Sequence, residues 1–144
     1  LRGFEVDNVI RELLAITRWG ELDILLIDTP PGLSDESLDV VTYFRNPKPI
    51  IVTTPSPLSI KSIEKLLIVL IEQGIDILGI IENMVLKEIS DISNLCRKYN
   101  VRYLGRIPYD PNIDNVLGDV NSIKNTQFYR GLRETFDQIR KMLI

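Results

Sequence analysis

Leu25-Leu26-Ile27-Asp28-Thr29-Pro30-Pro31-Gly32 is the stretch on which the reading of this chain turns. An apolar run that ends in one acidic residue delivers a carboxylate to the carboxyl end of a buried strand. In open α/β sheets, ligands collect beyond that end. An Asp so placed suits Mg²⁺, usually reached through a metal-bound water. The Pro30-Pro31 pair stiffens the exit. Gly32 lets the backbone approach a ligand closely and offer its N–H to a phosphate oxygen. A capped strand end followed by a rigid turn is the plainer reading, and the Thr-Pro-Pro-Gly continuation argues against it.

Working outward, four apolar runs read as strands: 22–27, 49–53, 77–81 and 101–107. They are rich in Ile, Leu and Val without strict alternation, as strands covered on both faces are. Between them lie segments with helical spacing. Val6, Val9, Ile10, Leu13 and Leu14 form one stripe, and Ile60, Ile63, Leu67, Leu70 and Ile71 a second that ends at Gly74. Ile89, Ile92, Leu95, Cys96 and Tyr99 form a third, and Phe128, Leu132, Phe136, Ile139 and Leu143 a fourth. The pattern predicts helices there, with a short one over Ser37 to Phe44. Alternation of strand and helix predicts an α/β fold with a parallel sheet flanked by helices. The polar stretch Asp110 to Thr126 reads as a long loop.

Composition narrows the function. The chain has 144 residues, 44% hydrophobic and 26% charged, with a net charge of −3, so no basic excess points to nucleic acid. No run is long and apolar enough to span a bilayer. The sequence has no histidine, which removes the commonest general base and zinc ligand. With Cys96 alone no internal disulfide forms, and a reducing, cytoplasmic home is expected. The chain opens on Leu1 rather than Met, which reads as a processed, truncated or engineered start.

Two further segments sit where strands end. In Ile80-Ile81-Glu82-Asn83-Met84, an Asn directly after a strand can pair its amide edge with adenine, as it does in DNA. A turn or helix-cap Asn is the commoner meaning of such a residue. In Ile107-Pro108-Tyr109-Asp110-Pro111-Asn112, two closely spaced prolines make a rigid loop able to clamp a base or ribose, or an ordinary turn. A phosphate loop needs Gly-x-x-x-x-Gly-Lys-Ser/Thr, and no glycine in this sequence is followed by lysine.

With these residues in view, the chain resembles the Mrp/ApbC branch of the MinD/ParA-like P-loop ATPases. Trp19-Gly20-Glu21-Leu22-Asp23 running into Ile27 through Gly32, then Asp35-Glu36, carries the likeness. Val52-Thr53-Thr54-Pro55, Leu78 through Met84, Leu104 through Pro111 and Gly118-Asp119 continue it in order. The resemblance implies a MinD-like three-layer sandwich, with residues 1–144 as the C-terminal portion of one P-loop NTPase domain. It implies that Asp28 holds Mg²⁺ through water, that Pro31 and Gly32 lie at the γ-phosphate, and that Asn83 reads the adenine of ATP. Pro108, Tyr109 and Asp110 would line the base pocket. Members are cytosolic homodimeric ATPases, and the Mrp branch is associated with iron–sulfur cluster assembly.

Departures from the family pattern set further expectations. Without the phosphate loop, the chain alone is expected to hold ATP and Mg²⁺ weakly or not at all and to carry no catalytic residue. Its expected partner is its own N-terminal half or a second copy. The family's Cys-x-x-Cys pair is replaced by Val85-Leu86-Lys87-Glu88-Ile89, and Cys96 falls on an apolar helix face, too few thiolates for a cluster. Gly32-Leu33-Ser34-Asp35 stands where the family has Gly-Thr-Gly-Asp. The phosphate-loop strand of the family lies between the Asp28 strand and the 49–53 strand. The gap is expected to close by direct pairing, to borrow a strand from another copy, or to await a separate N-terminal half. The alternatives in function are a non-catalytic interaction module and a MinD-like positioning ATPase that touches membrane through the amphipathic end, Arg133 to Ile144.

Overall fold

The computed structural model describes residues 3–29, 41–86 and 91–143. They fall into two units, Leu1–Pro47 and Lys48–Ile144.

In the first unit the helix α1, Gly3–Ile16, follows the expected stripe. It ends where the Thr17 amide and hydroxyl both donate to the Leu13 carbonyl, at 3.1 and 2.5 Å. Trp19 Nε1 donates to the Leu14 carbonyl at 3.2 Å and folds the exit back on the helix. The guanidinium of Arg11 lies 4.7 Å from the centre of the Tyr43 ring. Of the short helix expected over 37–44, residues 41–43 are helical and 37–40 lie outside the described residues.

The expected strand over 22–27 is not present. Residues 22 and 24–29 have no regular structure, and Leu26 is 87% exposed. The reason is hydrogen bonding: an extended segment becomes a strand only when a neighbour satisfies its amides and carbonyls. Apolar character alone does not supply that neighbour.

The second unit is a β-α-β-α-β run. Strands β1 (Ile50–Thr53), β2 (Gly79–Val85) and β3 (Tyr103–Pro108) form a parallel sheet in the order β1-β2-β3. Helix α2, Pro57–Glu72, joins β1 to β2, and helix α3, Ile92–Tyr99, joins β2 to β3. Two one-turn helices follow, α4 (Ile113–Val116) and α5 (Val120–Ile123), where the sequence reads as loop. Asp119 explains part of that difference, because its carboxylate accepts the Asn121 amide at 3.0 Å and starts α5. Helix α6, Gln127–Leu143, closes the described chain.

Local chemistry fixes each boundary. Ser56 caps α2 by accepting the Ser59 amide at 3.1 Å, and Pro57 fits the first turn, where an amide would be idle. The helix stops at Gly74, whose φ of +69° suits glycine. Asn100 does the same for α3 at φ +53°, and the Val101 amide donates to the Cys96 carbonyl at 2.9 Å. Glu64 ties α2 to α3, taking Lys98 Nζ at 2.7 Å and the Tyr99 hydroxyl at 2.9 Å. Lys48 pairs with Asp76 across the two turns that enter β1 and β2.

The pleat divides the core. Ile51 pairs with Ile80 in register, so the two share a face. Ile81, on the other face, clusters with Leu78, Leu104, Ile107 and Ile139 of α6. Buried Ile63, Leu67 and Leu70 of α2 and Ile92, Leu95 and Cys96 of α3 belong to the remaining core. Leu67, Ile80, Ile92 and Leu104 are fully buried. Each such side chain contributes about 1.5–3 kcal/mol by leaving water.

Coverage is not complete on both faces, contrary to the sequence reading. Val52 in β1 is 56% exposed, and the described ladder partner of β1 is β2 alone.

Helix α6 sits unusually close to β3. A Cβ at Gly131 would lie 2.6 Å from Pro108 Cδ and 3.1 Å from both the Arg106 carbonyl oxygen and Ile107 Cα. A Cβ at Gly105 would lie 2.5 Å from Thr135 Oγ1. The buried face of α6 is Gly131, Thr135 and Ile139, four residues apart each time. The expected amphipathic end is thus a helix docked on the sheet.

Candidate functional site

The carboxyl ends of β1, β2 and β3 lie side by side, and three short polar segments leave from them. After β1, Thr54 Oγ1 and Ser59 Oγ are 2.8 Å apart, and Ser56 Oγ donates to Ser59 Oγ at 2.8 Å. This hydroxyl cluster stands at the start of α2.

After Ile81 the sequence reading ends β2 too soon. The strand runs on through Glu82, Asn83, Met84 and Val85. Glu82 pairs with Arg106 and Val85 with Pro108, so Asn83 and Met84 together face the single residue Ile107. That is a β-bulge, and it puts Met84 at φ +58°, uncommon for a residue with a side chain. Asn83 Oδ1 accepts the Met84 amide at 2.9 Å and holds the bulge, while the side chain stays half-buried. Bulges of this kind re-aim side chains beside sites.

At the end of β3 the Tyr109 amide donates to the Val85 carbonyl at 3.0 Å, which locks the Pro108–Tyr109 segment to the bulged strand. Pro108 is half-buried beneath Gly131, and the Tyr109 ring is exposed. Asp110 is buried, and its carboxylate is already engaged. Oδ1 accepts the Asn112 amide at 3.0 Å, and Oδ2 accepts the Gln127 amide, the first of α6, at 2.8 Å. Thr126 Oγ1 accepts the Tyr129 amide at 3.1 Å and completes the cap.

The amide of Asn112 above all, then those of Gln127 and Phe128, hold the Asp110 carboxyl below the usual Asp range. The charged form is favoured in the fold. The stabilisation is therefore complete above the unfolded pKa and is lost as pH falls through the lower folded value. Asp110→Asn is expected to melt at lower temperature than the unaltered chain at about pH 7, with the difference shrinking below about pH 4. Thermal melts across that range check this, and a constant difference would sink the assignment.

The structure thus brings Asn83, Pro108, Tyr109 and Asp110 to one edge. Asp28 is exposed in the other unit, and Pro31 and Gly32 lie outside the described residues. Cys96 is 4% exposed, and burial, then the charge of Glu82, pushes its thiol pKa up. A protonated buried thiol is a poor metal ligand. Among the described residues no group of three or more His, Cys, Asp or Glu is placed to hold a metal ion. No described helix is long and apolar enough to cross a membrane.

Residues 1–144 match the family described as ParA: NUBPL iron-transfer P-loop NTPase. The chain belongs to that family. Among relatives of this NUBPL-type NTPase is the cytosolic Fe-S cluster assembly factor CFD1 of Saccharomyces cerevisiae, 35% identical over 99% of the chain and 55% of the relative. A Nubp1 homolog of Drosophila grimshawi, named likewise as a cytosolic Fe-S cluster assembly factor, is 38% identical over 86% of the chain and 48% of its own length. The chain spans about half the length of the curated relatives it matches. A nucleotide-binding protein from Archaeoglobus fulgidus, solved with ADP, superposes with a TM-score of 0.70 at 31% identity, over 90% of the chain and 59% of the neighbour. MinD from Pyrococcus horikoshii, at 24% identity and a TM-score of 0.70 over 96% of the chain and 56% of that protein, shares the fold. The parallel sheet with flanking helices is therefore of the MinD-like P-loop NTPase type.

One residue the site reading passed over is Glu82. Its signal is visible in the sequence, as the charged residue that continues the apolar run Leu78 to Ile81. It is 3% exposed, and its Oε2 accepts the Tyr103 hydroxyl at 3.0 Å. Burial first, then that hydrogen bond, raises the Tyr103 phenol above its usual range.

Proposed function

We propose that this chain supplies the base-reading edge and the magnesium-linked turn of an Mrp/NUBPL-type ATPase that serves iron–sulfur cluster assembly in the cytoplasm. The observation that carries the reading is the bulged Asn83–Met84 segment locked beside Pro108–Tyr109 at the carboxyl ends of β2 and β3. A half-buried amide edge next to an exposed aromatic ring is suited to an adenine, by hydrogen bonds and by stacking. Asp110 contributes by holding the loop and α6 in place rather than by offering a free oxygen. Asp28 is assigned to Mg²⁺ through water, with Pro31 and Gly32 at the γ-phosphate.

Residues 1–144 act in this proposal as the C-terminal portion of one NTPase domain. The β- and γ-phosphates need a Gly-Lys-Ser/Thr loop that these 144 residues do not contain. An upstream segment supplies it, and the assembled protein acts as a homodimer. Hydrolysis then runs as water attack on the γ-phosphate, driven by positioning and electrostatics. The buried Cys96 takes no part in holding a cluster, so cluster transfer uses thiolates elsewhere in the assembly.

Calorimetry with Mg-ATP tests the reading on this chain and on a chain extended upstream through a phosphate loop. Binding is expected for the extended form, weakened roughly tenfold by Asn83→Ala through loss of a paired amide edge. Micromolar binding by the 144 residues alone would show that the phosphate site is complete without that loop. No binding by either form would favour a non-catalytic interaction module.

A further inference from the structure

Buried polar atoms almost always have a partner, and a carboxylate oxygen without one calls for a reason. Oε1 of Glu82 is shut off from solvent and receives no hydrogen bond, although Oε2 of the same group is held by Tyr103. Beside it opens a cleft of about 360 Å³ along β3, lined among others by Glu82, Tyr103, Arg106, Ser93, Glu134 and Gln138.

We propose that this cleft binds a small organic cation, a primary ammonium or guanidinium group, whose N–H donates to Oε1 of Glu82. An unpartnered carboxylate oxygen is an acceptor, so its complement is a donor. A charged donor gives the stronger bond to such an oxygen. Two carboxylates, Glu82 and Glu134, line the cleft against the one guanidinium of Arg106. The Ser93 hydroxyl and the Gln138 carbonyl offer acceptors for the remaining N–H groups of such a cation. A bare metal ion fits less well, because no group of three acidic, His or Cys residues is gathered among the described residues.

Entry requires a wall to move. Glu134 and Gln138 are exposed at the cleft, so their outer atoms can rotate while the sheet stays fixed. Glu82 is buried against Tyr103 at the cleft, whereas Asn83 lies in the bulge beside Pro108–Tyr109. The cation site is therefore separate from the base-reading edge and does not rest on the nucleotide proposal.

The cation can come as a free amine or as a Lys or Arg side chain of another protein, and one experiment separates the two. The protein carrying this chain, with ¹³C-labelled glutamate carboxyls, is titrated with n-butylammonium, then with a short lysine peptide and its acetylated form, at constant ionic strength. A saturable shift of the Glu82 carboxyl with butylammonium identifies a site for free amines. A shift with the lysine peptide alone, absent after acetylation, identifies a protein side chain as the source. Glu82→Gln is expected to weaken whichever ligand binds by about tenfold or more. The idea is overturned if neither ligand moves the Glu82 carboxyl, or if the variant binds as well as the unaltered protein. Should the variant fail to fold, the carboxyl shift in the unaltered protein decides alone.

Discussion

Gly131→Val is expected to destabilise the fold by about 3 kcal/mol and to lower the melting temperature by roughly 10 °C. The first added carbon would enter space held by the Pro108 ring, the Arg106 carbonyl and the Ile107 backbone, all within about van der Waals contact or closer. None of these is the far end of a flexible side chain, so the clash is relieved only by moving α6 away from β3. That movement would unseat Ile139, which closes one core cluster, and Thr135 with it. Helix propensity works the other way, since valine is better than glycine inside a helix by a few tenths of a kcal/mol, roughly. It is too small to win. Gly105→Ala is expected to destabilise as well, because the glycine sits at φ +150° and the added carbon would lie 2.5 Å from Oγ1 of the buried Thr135. Urea or thermal unfolding followed by circular dichroism reads both. A change below about 0.5 kcal/mol for Gly131→Val would mean that α6 does not dock this closely.

The second large effect is on catalysis. In a protein that carries this chain together with a phosphate loop, Asp28→Ala is expected to cut Mg-ATP hydrolysis roughly 10–100-fold. A carboxylate that holds a metal through its water orients the ion without bonding to it directly, and losses of that size are usual for such groups. Asp28 is exposed, so its replacement empties no core. Stability should hardly change, which separates a lost role in catalysis from a lost fold. Steady-state phosphate release at several Mg²⁺ concentrations makes the test. If the rate is unaltered at every concentration, Asp28 does not serve the metal.

The longer helices are legible because their apolar stripes and stops are local signals, whereas the single-turn α4 and α5 have no such stripe. Gly74 marks the end of α2, and Phe128 to Leu143 carries four turns of regular spacing in α6. Strand β1 was equally plain. The sequence reading ends β2 short because Glu82 and Asn83 look like the polar exit of an apolar run. Instead, the ladder to β3 continues past them through a bulge, and a bulge leaves no mark in hydrophobicity. Residues 22–27 have the composition of a buried strand, yet pairing is a property of two segments and cannot be read from one. Of the candidate site, Asn83, Pro108 and Tyr109 are visible as the polar or rigid residues that end apolar runs. The engagement of Asp110 with Gln127, seventeen positions away, was not, because a side-chain cap across a loop depends on the finished fold.

That bond between Asp110 and Gln127 also fixes where the chain can vary in length. It pins both ends of the 110–127 segment, one at the exit of β3 and the other at the first amide of α6. The two single-turn helices between the pins carry no buried side chain. Lengthening a flexible loop between fixed ends costs only about 0.6 kcal/mol for each doubling. Insertions between α4 and α5 should accordingly leave the sheet and the docked helix undisturbed. The same number of residues added on the β3 side of Asp110 would pull the carboxylate off the helix and open its first turn.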